Sequence, residues 1–292
     1  MRTRPLGPEA PVVSAIGFGG MPLSIQGRPA DAAQSVSVIH AVLDAGTTLI
    51  DTADVYCLDD ADTGHNERLM ARALRAWKGD SSAVVVATKG GLTRPGGRWE
   101  RDARPARLRT ACDRSLAALG VDRIDLYQLH APDPQVPLLE SVGALAALQQ
   151  EGKIRWIGLS NVSVKEIEAA QSVVRVVTVQ NRLNPFFREA VDTGVVRYCD
   201  DQGIGFLAYS PVGGGRLNKK LPTHPTLRPI AERLGASPHA VVIAWVLTQG
   251  SSVIPIPAAR TVDHALDALA AAAVVLTPDD CRAIDRATFS RT

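Results

Sequence analysis

Leu49-Ile50-Asp51-Thr52-Ala53-Asp54-Val55-Tyr56 opens on apolar residues and breaks into polar ones at Asp51. The same step recurs at Val84-Val85-Val86-Ala87-Thr88-Lys89 and again at Asp125-Leu126-Tyr127-Gln128-Leu129-His130. Apolar, β-branched runs of this length read as strands buried on both faces, as in a parallel sheet. Working outward, similar runs begin near Ser14, Thr47, Ala83, Ile124, Arg155, Val176, Ile204 and Ser252. Segments with helical period lie between them, for example 31–45, 66–77, 105–119, 137–151 and 163–171. Strand and helix alternating in this way imply a parallel sheet with helical crossovers, and eight copies imply closure. The expected fold is therefore an α/β protein, a (β/α)8 TIM barrel forming a single domain over residues 1–292.

The competing topology is a doubly wound open sheet. Its dinucleotide fingerprint is missing: Gly17-Phe18-Gly19-Gly20-Met21 lacks a third glycine and an evident following helix. In a barrel the strand ends converge on one catalytic face, which would bring Asp51, Tyr56, Lys89 and His130 together.

Composition fits one large core. The chain has 292 residues, 46% of them apolar, and single α/β barrels commonly need about 250. Net charge is +2 with acids and bases interspersed, so no nucleic-acid stripe or polybasic membrane patch is expected. Cys57, Cys112, Cys199 and Cys281 are far apart and show no metal-ligand or redox spacing. Free thiols in a reducing compartment are the expectation, with no metal. The N-terminal Met1-Arg2-Thr3-Arg4-Pro5 leads into no apolar signal core, and no run approaches the roughly 20 residues of a membrane span. A cytoplasmic monomer or weak homo-oligomer is expected.

The four residue types suit carbonyl reduction. Hydride addition leaves charge on oxygen, so the site needs a proton donor still protonated at neutral pH. A phenol with an ordinary pKa of about 10 can serve if a neighbour lowers it. Lys89 is expected to lower that of Tyr56, Asp51 to keep the lysine charged and oriented, and His130 to hydrogen-bond the carbonyl oxygen. Taken singly, Asp51 at a strand end is more often a helix cap or turn former, and His130 before Ala131-Pro132-Asp133-Pro134 could simply mark a turn.

These three strings resemble the signature segments of the aldo-keto reductase superfamily. Gly152-Lys153-Ile154-Arg155-Trp156-Ile157-Gly158-Leu159-Ser160-Asn161, Gln180-Asn181, Ala208-Tyr209-Ser210-Pro211 and Val253-Ile254-Pro255-Ile256-Pro257 agree with it, so the likeness runs from about Ser14 to the C-terminus. The resemblance implies an NADP(H)-dependent oxidoreductase, NAD(H) being possible, that acts on a small carbonyl substrate. It implies that Ser160, Asn161 and Gln180 bind the nicotinamide carboxamide and that Tyr209 stacks on the ring. It further implies that Ser210, Pro211, Val212, Gly213, Gly214 and Arg216 lie along the pyrophosphate, with Gly20 and Met21 also at the cofactor. The adenosine end would fall to Pro257, Ala259, Arg260, His264 and Asp267. There the chain departs from the family: Ala258 replaces the usual glycine or lysine, and Asp267-Ala268 the usual Glu-Asn pair.

Two loops read less clearly. Asp59, Asp60 and Asp62 in the loop after Tyr56 suggest a solvated segment rather than a cation site, which needs more ligands at fixed spacing. After Lys89, Trp99 is either a pocket wall or a local packing residue, and Arg94, Arg98 and Arg101 could attract an anionic substrate or simply decorate the surface. The last helical pattern, 278–288, ends close to Thr292, so an open pocket is expected. Two other functions remain open: a barrel lyase using Lys89 as a Schiff-base nucleophile, and a cofactor-binding sensor or accessory subunit with little turnover.

Overall fold

The computed structural model describes residues 2–292. Its strands are β1 (Thr3–Pro5), β2 (Val12–Ser14), β3 (Phe18–Gly19), β4 (Leu49–Asp51), β5 (Val85–Gly90), β6 (Leu92–Thr93), β7 (Glu100–Arg101), β8 (Ile124–Leu129), β9 (Ile154–Ser160), β10 (Val176–Arg182), β11 (Gly205–Tyr209) and β12 (Val253–Ile256). The helices are α1 (Ala32–Asp44), α2 (His65–Ala76), α3 (Pro105–Leu119), α4 (Leu138–Gln150), α5 (Val164–Gln171), α6 (Glu189–Asp192), α7 (Val195–Gln202), α8 (Gly214–Leu217), α9 (Leu227–Leu234), α10 (Pro238–Leu247), α11 (Val262–Ala270) and α12 (Pro278–Arg286).

Eight strands, β3-β4-β5-β8-β9-β10-β11-β12, run parallel in sequence order. The two edges meet. Gly17 N donates to Pro255 O and Gly19 N to Pro257 O, each at 2.9 Å, which closes the sheet into the (β/α)8 barrel.

Local signals start and stop the outer helices. Asp31 accepts from Ala33 N at the head of α1, Ser163 and Glu166 form a capping box on α5, and Thr277 with Asp280 does the same on α12. Pro105 and Pro238 occupy first-turn positions of α3 and α10, where a missing N–H costs nothing. The outer core joins these helices to the outward side chains of the strands, among them Ile124, Tyr127, Ile157 and Val179.

The first strand differs from expectation. The run from Ser14 divides into β2, which pairs antiparallel with β1, and a two-residue barrel strand β3. The β1–β2 hairpin floors the barrel: Leu6 and Val13 pack on Leu49, Ala87, Leu126 and Leu207. Arg4 ties it to the barrel wall by donating to the carbonyls of Leu247 and Gly250 at 2.7 Å. The loop after Lys89 is also more ordered than its glycines suggest, forming the β6–β7 hairpin. At the opposite end from the floor, the barrel presents the C-terminal ends of its strands.

Candidate active site

Asp51 ends β4, Lys89 lies one residue from the end of β5, and His130 follows β8. Parallel strands in register bring these ends to one level, with Asp51 beside Ala87 and Lys89 beside Gln128. Lys89 Nζ donates to Asp51 Oδ1 at 2.5 Å, to Thr52 O at 2.9 Å and to Tyr56 Oη at 3.0 Å. All three donor directions of the ammonium are thereby used. Lys89 is fully buried and Tyr56 only 7% exposed. The His130 ring stands edge-on to Tyr56, centroids 5.7 Å apart, with a buried Nδ1 that meets no partner among the described residues. The four residues singled out from sequence thus form one cluster.

Their electrostatics correct one expectation. Burial, then the Asp51 charge, pushes the Tyr56 phenol well above its ordinary value, where lowering by Lys89 was expected. Desolvation of a phenolate in this closed setting outweighs the lysine, whose charge is already engaged by Asp51. Burial lowers Lys89 against the pull of Asp51. His130 is held well below the usual imidazole value by burial and by the Lys89 cation, so it is neutral at pH 7. The cluster therefore presents a protonated phenol and a neutral imidazole beside an ammonium. That arrangement can donate a proton to an oxygen as it gains charge.

The rim carries the remaining candidates. Asn161 and Ser210 adopt positive φ, 60° and 51°, which places strain at two strand ends on this face. Asn161 Nδ2 donates to His130 O and Ser160 Oγ at 3.0 Å, while its Oδ1 accepts from Tyr209 Oη at 2.9 Å. Gly213 and Gly214 have φ of 89° and 75°, and a Cβ added at Gly215 would meet nothing within 4 Å. Gly20, just after β3, is tight by contrast: a Cβ there would come within 2.6 Å of Asn66 Oδ1 and 2.3 Å of Met70 Cε, so a larger residue would have to displace both side chains.

Several residues assigned to the cofactor are engaged within the chain. Gln180 Nε2 donates to Asp51 Oδ2 at 2.7 Å. Arg216 donates to Arg291 O at 2.5 Å, and Asp267 accepts from Ser237 Oγ at 2.6 Å beside the α10 N-terminus. Arg260 donates to Pro22 O and Gln26 O at 3.1 and 3.0 Å, joining the loop after β3 to the loop after β12. His264 sits in the first turn of α11, its main-chain N–H donating to the Thr261 cap. Met21, Pro211, Val212, Pro257 and Ala259 lie in the loops that follow β3, β11 and β12.

The sequence model of the aldo/keto reductase family matches residues 15–288. The chain belongs to this family. It is 34% identical over 272 residues, 92% of its length and 84% of the relative's, to an uncharacterized oxidoreductase of Schizosaccharomyces pombe. Among solved structures it resembles the glycerol dehydrogenase AKR11B4 of Gluconobacter oxydans, with TM-score 0.84 and 30% identity over 97% of this chain and 93% of that one. An aldo-keto reductase of Klebsiella pneumoniae solved with NADPH gives TM-score 0.82 and 28% identity, covering 98% and 95%.

In this aldo/keto reductase the sequence reading missed the residues around the tetrad. Gln128 Nε2 donates to Asp51 Oδ2 at 3.3 Å, so two amides hold the oxygen that Lys89 leaves free. Asp54 and Glu67 are buried behind β5, and Glu67 accepts from Thr88 Oγ1 at 2.6 Å. Both Asp54 oxygens lack a partner among the described residues. Burial, then Glu67, raises the Asp54 carboxyl well above its usual value. A folded pKa above the unfolded one gives stability that is complete below the unfolded value of about 3.9 and is lost as pH rises through the folded one. Asp54→Asn should therefore raise the melting temperature at pH 7.5, with the gain vanishing near pH 4. Thermal melts at both pH values check this, and equal shifts would show that Asp54 is not strained by its charge.

Proposed function

We propose that this chain transfers hydride between NADP(H) and a small carbonyl compound, reducing an aldehyde or ketone to an alcohol or running the reverse, with Tyr56 as proton donor. The observation that carries the reading is the buried hydrogen-bond chain from Asp51 Oδ1 through Lys89 Nζ to Tyr56 Oη, at 2.5 and 3.0 Å. The Gly213–215 loop, with positive φ and open space above Gly215, suits a phosphate-bearing ligand, because main-chain N–H groups can approach the anion there. The relatives solved with NADP and with NADPH support a nicotinamide cofactor. Bound at this face, the reduced nicotinamide would supply the hydride.

The remaining work falls to side chains. Tyr56 Oη gives its proton to the substrate oxygen, and Lys89 Nζ stabilises the charge left on Tyr56. Neutral His130 offers an N–H to the same oxygen and fixes its position. Asp51, braced by Gln128 and Gln180, holds the ammonium in place. An ammonium with three acceptors is a poor Schiff-base nucleophile, which argues against the lyase reading.

Oxidation of NADPH by aldehydes, ketones, quinones and sugar lactols tests the proposal. Turnover of any of these supports it. Borohydride trapping of substrate on Lys89 would instead support the lyase, and tight NADPH binding without turnover an accessory role.

Cofactor choice gives a second test. Arg260 lies at the start of α11, where a guanidinium and helical N–H groups can share one anion. Arg260→Ala should weaken NADPH relative to NADH by about 1 to 3 kcal/mol. Fluorescence titration of both cofactors checks this. Equal losses would mean that Arg260 acts only by holding Pro22 and Gln26.

A further inference from the structure

The hairpin after Lys89 buries a cation that has no anion. Arg94 is 7% exposed, and its Nη2 donates only to main-chain oxygens, Cys57 O at 3.3 Å and Leu58 O at 3.2 Å. Its Nε and Nη1 are buried and meet no acceptor among the described residues. The neighbouring arginines differ: Arg98 pairs with Glu100 at 3.0 Å and Arg104 with Asp102 at 2.7 Å. An unpaired buried cation is unfavourable, so a chain that keeps one beside its reactive centre invites a ligand explanation.

The cation is tied to the catalytic cluster through Trp99. The guanidinium carbon of Arg94 lies 4.0 Å from the indole centroid. That indole in turn meets the rings of Tyr56 and His130 edge-on, each at 6.4 Å between centroids. Trp99 is 47% exposed, so part of its indole faces solvent. Tyr56, His130 and Trp99 thus meet ring against ring, and the Arg94 guanidinium, with two nitrogens unpartnered among the described residues, stacks on Trp99 beside them. An aromatic face suits a planar ring, and unpaired guanidinium N–H groups suit a carboxylate.

We propose that Arg94 and Trp99 select the substrate, favouring aromatic aldehydes and ketones that carry a carboxylate, with Arg94 binding the carboxylate and Trp99 packing on the ring. This rests on the carbonyl-reductase reading above. Arg94 also ties Cys57 and Leu58 next to Tyr56, so its removal slows turnover in general, and the informative quantity is a ratio between matched substrates.

The test compares 3- and 4-carboxybenzaldehyde with their methyl esters, by kcat/KM with NADPH and by calorimetric affinity for the protein loaded with NADP. In the parent, the better acid should exceed its ester about tenfold or more in both measures, mainly through KM, as for a charge-assisted contact. Arg94→Met should bring the ratio to about one, Arg94→Lys should retain part of it, and Trp99→Ala should weaken acid and ester together. A parent ratio near one, or a ratio that survives Arg94→Met, overturns the proposal even if all four compounds are reduced. Selective binding of the acids without turnover upholds the Arg94 assignment while refuting the reductase reading.

Discussion

Tyr56→Phe should lower carbonyl reduction about 100-fold or more while leaving cofactor affinity within about twofold, because a positioned acid acts only as charge develops on oxygen. The substitution keeps the ring, and with it the edge contacts to Trp99 and His130. It removes only the hydroxyl that meets Lys89 Nζ at 3.0 Å. Lys89 retains Asp51 Oδ1 and Thr52 O as acceptors, so the buried ammonium is not stranded and the fold should hold. Steady-state kinetics on any accepted carbonyl and cofactor titration provide the comparison. Activity within about threefold of the parent would remove Tyr56 from the proton-donor role.

Lys89→Met should depress the rate by a similar factor and move the basic limb of the pH profile upward. In the parent, burial lowers Lys89 and raises Tyr56. A cation beside a phenol favours the phenolate, so with methionine in place of the lysine the phenol titrates at higher pH. Asp51 then keeps the amides of Gln128 and Gln180 as partners, which limits the destabilisation that usually follows when one member of a buried ion pair is deleted. Asp51→Asn should depress the rate more mildly, since the lysine keeps Thr52 O, and move the limb downward, because the Asp51 charge raises both Lys89 and Tyr56. A profile unchanged between parent and Lys89→Met would make the lysine structural.

The barrel was legible where strands are buried on both faces. Val84-Val85-Val86-Ala87 and, around Asp125, Ile124, Leu126 and Tyr127 are apolar because β5 and β8 face the interior on one side and helices on the other. Short or polar elements were not legible. β1 reads Thr3-Arg4-Pro5, and β3 has only two residues, so neither offers a periodic signal. Helix α10 is buried nearly all round from Ala240 to Val246, which erases the amphipathic pattern that marks a surface helix.

The site divides along a similar line. Asp51, Tyr56, Lys89 and His130 stand at the breaks between apolar and polar sequence, so their position betrays them. Gln128 was hidden within an apolar run, where nothing in the sequence shows that its amide faces Asp51. Arg94 was hidden for the opposite reason: it lies among Gly, Pro and other arginines, a composition that reads as exposed loop. Its burial goes with the β6–β7 hairpin, the stack with Trp99 and the long-range contacts to Cys57 and Leu58.

Hydride transfer itself can be followed with NADPH deuterated at the transferring position of the nicotinamide C4, incubated with an accepted aldehyde and the parent protein. Mass spectrometry of the product should find one deuterium on the carbinol carbon, and Tyr56→Phe should abolish most of that product while the labelled cofactor still binds. Alcohol formed without the label, or equal labelled product from Tyr56→Phe, would contradict a reductase built on the Asp51–Lys89–Tyr56 chain.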